Sequence, residues 1–152
     1  RIGILRDGRL VQEGPPEEIY DRPQSEFAAT FLGDANILRG EATESGIRLA
    51  DGTAIAATAG PKAGPGGKAS CAVRPERIRI VSAADAAPSD GNMLRGRVSK
   101  RIFAGNSSTY FVDRSGETVK VLVRNDGSRK LSEGQDVVLC WSVESTILIQ
   151  GL

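Results

Sequence analysis

The sequence predicts a mainly β fold, a strand meander closing into a barrel, preceded by a short hairpin and two helices. Three observations lead there. Short apolar or alternating runs recur through residues 94–150, and Ser115-Gly116, Asp126-Gly127 and Glu133-Gly134 stand between them as turn signals. Eighteen glycines and seven prolines supply the many turns that short strands need. A meander of this length tends to close, because closure removes exposed strand edges.

The elements follow in chain order. Residues 2–5 and 9–12 read as paired strands around Asp7-Gly8, where glycine tolerates the positive φ of a tight turn. Pro15-Pro16-Glu17-Glu18 opens a short helix. Proline in the first turn loses no needed hydrogen bond, and the glutamates suit the positive end of the helix dipole. Residues 21–23 break it. A second helix covers residues 24–32, with Phe27, Ala28, Phe31 and Leu32 on one face and Gly33 as its C-cap. Short strands then fall at 37–40, 46–49 and 53–56, with Asp51-Gly52 as a hairpin turn. Residues 59–68 have no apolar period and form a loop. Strands at 69–74 and 77–81 flank a Pro75-Glu76 turn, and 83–92 is a second loop.

The later strands are 94–103, 109–113, 118–124, 137–143 and 146–150. Val119, Val121 and Val123 share one face, as do Val137, Leu139, Trp141 and Val143. Trp141 is therefore read as core and not as a platform for a ligand. No internal repeat stands out at a fixed period.

Composition narrows the chemistry. The chain has 152 residues, 39 % of them apolar, and a formal charge of +1 from 20 basic and 19 acidic residues. That balance weighs against a dedicated polyanion binder. Histidine is absent, which removes the commonest general base and transition-metal ligand and any Ser-His or Cys-His pair. Cys71 and Cys140 lie far apart in apparent strands, and two buried thiols are favoured over a disulfide. No cysteine cluster suggests zinc, and no Asp/Glu set has calcium-loop spacing. There is no signal peptide, and no apolar run approaches the roughly 20 residues of a membrane span. The chain begins at Arg1 inside an apparent strand and reads as a fragment of a larger protein.

Three segments invite a chemical reading. No Gly-x-x-x-x-Gly-Lys-[Ser/Thr] phosphate loop is present; residues 60–68 are glycine-rich, but Pro61, Pro65 and the lack of a hydroxyl after Lys68 make them a connector. Arg95, Arg97, Arg101 and Phe103 all occupy odd positions and would share one side of a regular strand, a basic face ending in an aromatic. Barrels that bind single-stranded nucleic acid combine such features, whereas the plain alternative is a solvated face, which the near-neutral charge favours. Arg74-Pro75-Glu76-Arg77 is the most charged turn, by default a strand connection with a surface ion pair.

The segment Arg6-Asp7-Gly8-Arg9-Leu10-Val11-Gln12-Glu13-Gly14-Pro15-Pro16-Glu17-Glu18-Ile19-Tyr20 resembles the end of the nucleotide-binding domain of ABC importer ATPases. Arg22-Pro23 and Phe27-Ala28-Ala29-Thr30-Phe31-Leu32-Gly33 continue the likeness. Asp34-Ala35-Asn36-Ile37-Leu38 resembles the entry to the accessory domain of that family, the TOBE or MOP-like domain. Val73-Arg74-Pro75-Glu76-Arg77-Ile78-Arg79-Ile80 is similar to its Val-Arg-Pro-Glu motif, and residues 134–141 to its closing strands. One departure is Pro15, where the family has Thr or Ser; the missing hydroxyl cap costs the helix about 0.5–2 kcal/mol.

The resemblance implies an OB-like barrel over residues 34–152 and a remnant of the nucleotide-binding domain over 1–33, with Phe27 and Phe31 exposed and that segment mobile or differently docked. It implies a non-catalytic regulatory and dimerisation role, with Arg74, Pro75, Glu76 and Arg77 as a regulatory or subunit contact. In the intact subunit, ATP and Mg would be the cofactors. The partners would be a second copy and the permease subunits, on the cytoplasmic face of the inner membrane. Polyamine- and iron-type systems are nearest. No metal, cofactor or nucleic acid is expected on this chain itself. A small-ligand barrel for an oxyanion or metabolite is the alternative.

Overall fold

Two antiparallel strands open the chain, β1 (Ile2–Arg6) and β2 (Arg9–Gly14). The turn between them has positive φ at both Asp7 and Gly8, which the right-handed strand twist favours. The computed structural model describes residues 1–58, 66–86, 90–128 and 130–149. Parts of both expected loops, 59–65 and 87–89, and Gln150 of the last expected strand therefore lie outside the described residues.

Helix α1 (Pro16–Asp21) begins after Pro15, which offers no side-chain cap, as the sequence requires. Helix α2 (Glu26–Phe31) is shorter than the expected 24–32 because Ser25 is its cap; the Ser25 Oγ accepts a hydrogen bond from the Ala28 N–H at 3.1 Å. Two adjacent alanines let α2 pack closely in two directions. Ala28 joins Ile4 and Ile19 in one cluster, and Ala29 joins Ala72, Ile147 and Ile149 in another. Gln12 fastens the hairpin to the segment between the helices. Its Nε2 donates to the Arg22 carbonyl at 3.1 Å, and its Oε1 accepts from the Gln24 N–H at 3.0 Å. Phe27 is half-buried against Phe31 and Arg6, whereas Leu5, Leu10 and Phe31 are 61 %, 56 % and 60 % exposed.

The remaining strands are β3 (Asn36–Ala42), β4 (Gly46–Arg48), β5 (Ala54–Ala56), β6 (Lys68–Val73), β7 (Arg79–Ser82) and β8 (Asn92–Phe103). After them come β9 (Ser107–Arg114), β10 (Glu117–Arg124), β11 (Asp136–Trp141) and β12 (Ile147–Ile149). Mainly β with two short helices is the fold class the sequence predicts. The expected strand 137–143 stops at Trp141, because Val143–Ser145 is a 3-10 turn.

The chain folds into two compact units, residues 1–73 with 143–152, and residues 74–142. Packing units are not units of ancestry: the boundary expected after Gly33 is a matter of origin, on which packing is silent. Each unit holds one five-stranded antiparallel sheet. The order is β12-β6-β3-β4-β5 in the first and β7-β11-β8-β9-β10 in the second, and neither order returns on itself.

The two orders are the same plan. The central strands begin alike, Asn36-Ile37-Leu38-Arg39-Gly40 and Asn92-Met93-Leu94-Arg95-Gly96. They pair in the same register: Asn36 opposite Val73 and Leu38 opposite Cys71 in one, Asn92 opposite Trp141 and Leu94 opposite Leu139 in the other. A fixed-period search misses this, because the spacing between matched positions changes along the chain. Asn36 and Asn92 are 56 residues apart, whereas Val73 and Trp141 are 68 apart. The connectivity is reciprocal as well. The chain runs from β6 in the first unit to β7 in the second, and from β11 in the second back to β12 in the first.

Candidate functional site

The charged turn singled out in the sequence is a 3-10 turn over Pro75–Arg77, closed by the Arg77 N–H donating to the Arg74 carbonyl at 3.0 Å. It packs against β10. Arg74 is only 7 % exposed and Pro75 is buried, whereas Glu76 and Arg77 face solvent. Half of the motif therefore belongs to the interior. Only Glu76 and Arg77 are available for a contact with another molecule.

The basic face expected on β8 does not form as a single track. Pairing with β9 runs Arg97 to Asp113 and Val98 to Val112, then shifts, so that Lys100 meets Phe111, Arg101 meets Tyr110 and Phe103 meets Ser108. Ser99 is the extra residue. A bulge of one residue reverses which side each following residue faces. Arg95 and Arg97 stay on the outer face, while Arg101 and Phe103 turn to the face that carries Val98, Tyr110 and Val112. The expectation of four odd-numbered residues on one side is thus corrected. Arg97 is also partly neutralised, its Nε donating to the Asp136 carboxylate at 3.0 Å. On the outer face a different row forms, with the Lys100 and Lys120 ammonium groups 5.5 and 5.6 Å from the centre of the Phe111 ring.

On the other face Arg101 enters a built cluster. Its guanidinium lies 5.7 Å from the Phe103 ring centre and 5.8 Å from that of Tyr110, within cation–π range. Its Nη2 donates to the Ser108 Oγ at 2.8 Å. Ser108, 1 % exposed, donates its own proton to the Asn125 Oδ1 at 2.8 Å, and the Asn125 Nδ2 donates to the Gly105 carbonyl at 2.7 Å. Lys130 lies 6.0 Å from the Phe103 ring centre. Sequence reasoning named Arg101 and Phe103 but missed Ser108, Tyr110, Asn125 and Lys130, since no sequence signal marks the bulge that gathers them.

The remaining candidates have structural places. Trp141 is buried opposite Asn92, as core packing requires. Cys71 and Cys140 are both buried and free. Burial alone pushes the Cys71 thiol up to about 12. The exposed Asp126 carboxylate is held below its usual range by hydrogen bonds from Ser128. Among the described residues no group of three or more Cys, Asp or Glu could hold a metal ion. Among the same residues, no helix is long and apolar enough to cross a membrane.

The two sheets share one strand plan, and the Arg74–Arg77 turn lies between β6 and β7. The family model of the TOBE domain matches residues 71–149, more than half of the 152 residues, and the chain belongs to the TOBE domain family. Over 99 % of its length it is 29 % identical to the spermidine/putrescine import ATP-binding protein PotA of Rubrobacter xylanophilus, covering 41 % of that protein. To the corresponding protein of Ruegeria pomeroyi it is 32 % identical, over 90 % of this chain and 37 % of the relative. The chain thus spans about two fifths of the length of such relatives. Among solved structures it is similar to the cytoplasmic molybdate-binding protein ModG, with a TM-score of 0.63 and 15 % identity over 76 % of this chain and 96 % of ModG. That likeness is one of fold, and the fold is OB-like.

Proposed function

We propose that the chain is the non-catalytic regulatory and dimerisation part of the ATP-hydrolysing subunit of an ABC-type importer. Residues 1–33 are then the end of the nucleotide-binding domain and residues 34–152 the accessory domain. The observation that carries this reading is the likeness of nearly the whole chain to two fifths of import ATP-binding proteins, in a sequence without a phosphate loop. The exposed Leu5, Leu10 and Phe31 support it, because they lie in the segment assigned to the ATPase core and would be covered there.

In the intact subunit ATP and Mg are held outside this chain, and the likeness to spermidine/putrescine import ATP-binding proteins favours a polyamine as the solute whose uptake they power. The permease subunits are its partners, on the cytoplasmic face of the membrane. Pairing of two copies through this part has a physical use. It holds two ATPase subunits at high effective concentration while their ATP sites open and close. Glu76 and Arg77 are the outward residues of the contact proposed for the Arg74–Arg77 turn. An ATPase assay on the 152-residue chain tests the first clause: no turnover is expected, and turnover intrinsic to the chain would overturn it.

A second reading is that the domain binds a small ligand. The likeness in fold to a molybdate-binding protein favours it. Calorimetry of the chain against oxyanions, polyamines and sugars separates the two readings, since a purely contact-making domain would give no heat with any of them.

A further inference from the structure

We propose that the outer face of the second sheet, where β8, β9 and β10 run side by side beyond the bulge, docks an amphipathic helix of another protein that carries carboxylates on either side of an apolar stripe. The inference goes beyond the contact-making and small-ligand readings above and depends on neither. Three observations converge.

The first is what the bulge delivers. After Ser99 the even-numbered residues of β8 face outward, so two cross-strand rows form on that side. One is Lys100, Phe111 and Lys120, and the next is Ile102, Thr109 and Leu122. The Ser99 Oγ donates to the Phe111 carbonyl at 3.0 Å, which fixes the bulge beside the aromatic residue. The two rows hold two cations, three apolar side chains and no carboxylate.

The second is exposure. Ile102 is 44 % and Leu122 39 % exposed, and Phe111 is half-buried. Neighbouring apolar side chains rimmed by charge are the composition of a protein–protein contact. The Lys100 and Lys120 ammonium groups both lie within cation–π range of the Phe111 ring. That ring is the one aromatic of the two rows, it is flanked by cations, and the row beside it is aliphatic. The face is therefore poorly suited to stacking successive bases of a single strand.

The third is charge and spacing. The near-neutral total conceals an asymmetry: residues 74–142 carry 12 Lys/Arg against 8 Asp/Glu, while the rest of the chain carries 8 against 11. A second copy meeting this face with its own would set four lysines against one another, and like charges across an interface oppose association. The face calls for a partner of opposite sign, and copies of this chain that pair must use another surface. Neighbouring strands are about 4.8 Å apart, so Lys100 and Lys120 rise from points roughly 10 Å apart. Seven residues of helix cover about 10.5 Å. A helix laid across the strands with acidic residues at i and i+7 sets one carboxylate by each lysine. Its apolar residues at i+3 and i+4 then cover Phe111, Ile102 and Leu122.

The test uses the 152-residue chain and an alanine-based helical peptide with Glu at i and i+7 and Leu at i+3 and i+4, followed by NMR. Saturable shifts centred on Lys100, Ile102, Thr109, Phe111, Lys120 and Leu122 are expected. Replacing both glutamates of the peptide by lysine should weaken binding at least tenfold. Lys100→Glu combined with Lys120→Glu should reverse that preference, and Leu122→Ala should weaken binding severalfold. Arg48→Gln, in the first unit, should leave it unchanged. If the double variant fails to fold, the two peptides against the unaltered chain and Leu122→Ala carry the test. Absence of saturable binding, equal binding of the two peptides, or shifts centred elsewhere would overturn the proposal. Tighter binding of an oligothymidylate at the same residues would also overturn it, as a nucleic-acid surface. Concentration-dependent shifts of these residues without peptide would overturn it too, because a second copy would then cover the face.

Discussion

The two sheets share a plan, and they part at one residue. In the first unit β3 covers the seven residues Asn36–Ala42 and then passes to β4 and β5, of three residues each. In the second, the matching seven residues end at Val98, and the very next residue is the bulge. Beyond it β8 runs on to Phe103, beside β9 and β10 of eight residues each. The shared part is framework, buried and constrained. The extension carries Arg101, Phe103 and the polar groups that hold Arg101, namely Ser108 and Asn125.

The largest expected effect tests whether the frameworks are equivalent. Leu38 and Leu94 hold the same register position and are both buried. Replacing either by alanine should cost about 2–5 kcal/mol in urea unfolding. A cost below about 1 kcal/mol at only one of them would break the equivalence.

A smaller effect should distinguish the two halves. A Cβ on Gly40 would strike the Arg48 carbonyl deep inside contact distance, whereas one on Gly96 would first meet the Val112 Cγ1 at 2.5 Å and reach the Asp113 carbonyl only at 2.9 Å. Both sites press on a ladder carbonyl, but the overlap is far deeper at Gly40. Gly96→Ala should therefore cost about 1–3 kcal/mol, and Gly40→Ala more than Gly96→Ala; the reverse order by thermal unfolding would contradict the close approach in the first sheet.

The smallest effect near neutral pH concerns Cys71, which pairs opposite Leu38 where the second sheet has Leu139 opposite Leu94. Burial raises this thiol from 9.0 to about 12. The unfolded chain would release that proton above pH 9 while the folded chain keeps it, so unfolding gains there. Stability from this source should be flat below pH 9 and fall as pH rises from 9 towards 12. Iodoacetamide at pH 8 should leave Cys71 unmodified in the folded chain; rapid labelling there would contradict its burial.

Much of the framework was legible in the sequence. Asp7-Gly8 and Ser115-Gly116 both have the positive φ that their turn chemistry implies, and the alternation in β10 buries Val119 and Val121 as read. The Val-Arg-Pro-Glu motif marked a real turn. What could not be read was pairing. A bulge is a property of two strands, and nothing in Arg97-Val98-Ser99-Lys100 announces one, so the candidate basic face was assembled by parity and half of it proved to face the other way. The repeated plan was hidden by unequal connections between matched strands. Arg74 shows a second limit: charge in a turn suggests the surface, yet Arg74 is buried while Glu76 and Arg77 are exposed.

The central claim, that this chain serves contact between copies and not catalysis, is tested most directly by its mass in solution. Light scattering on the 152-residue chain across a range of concentrations should give a dimer. A strict monomer at the highest concentration would contradict the pairing that gives the domain its proposed use.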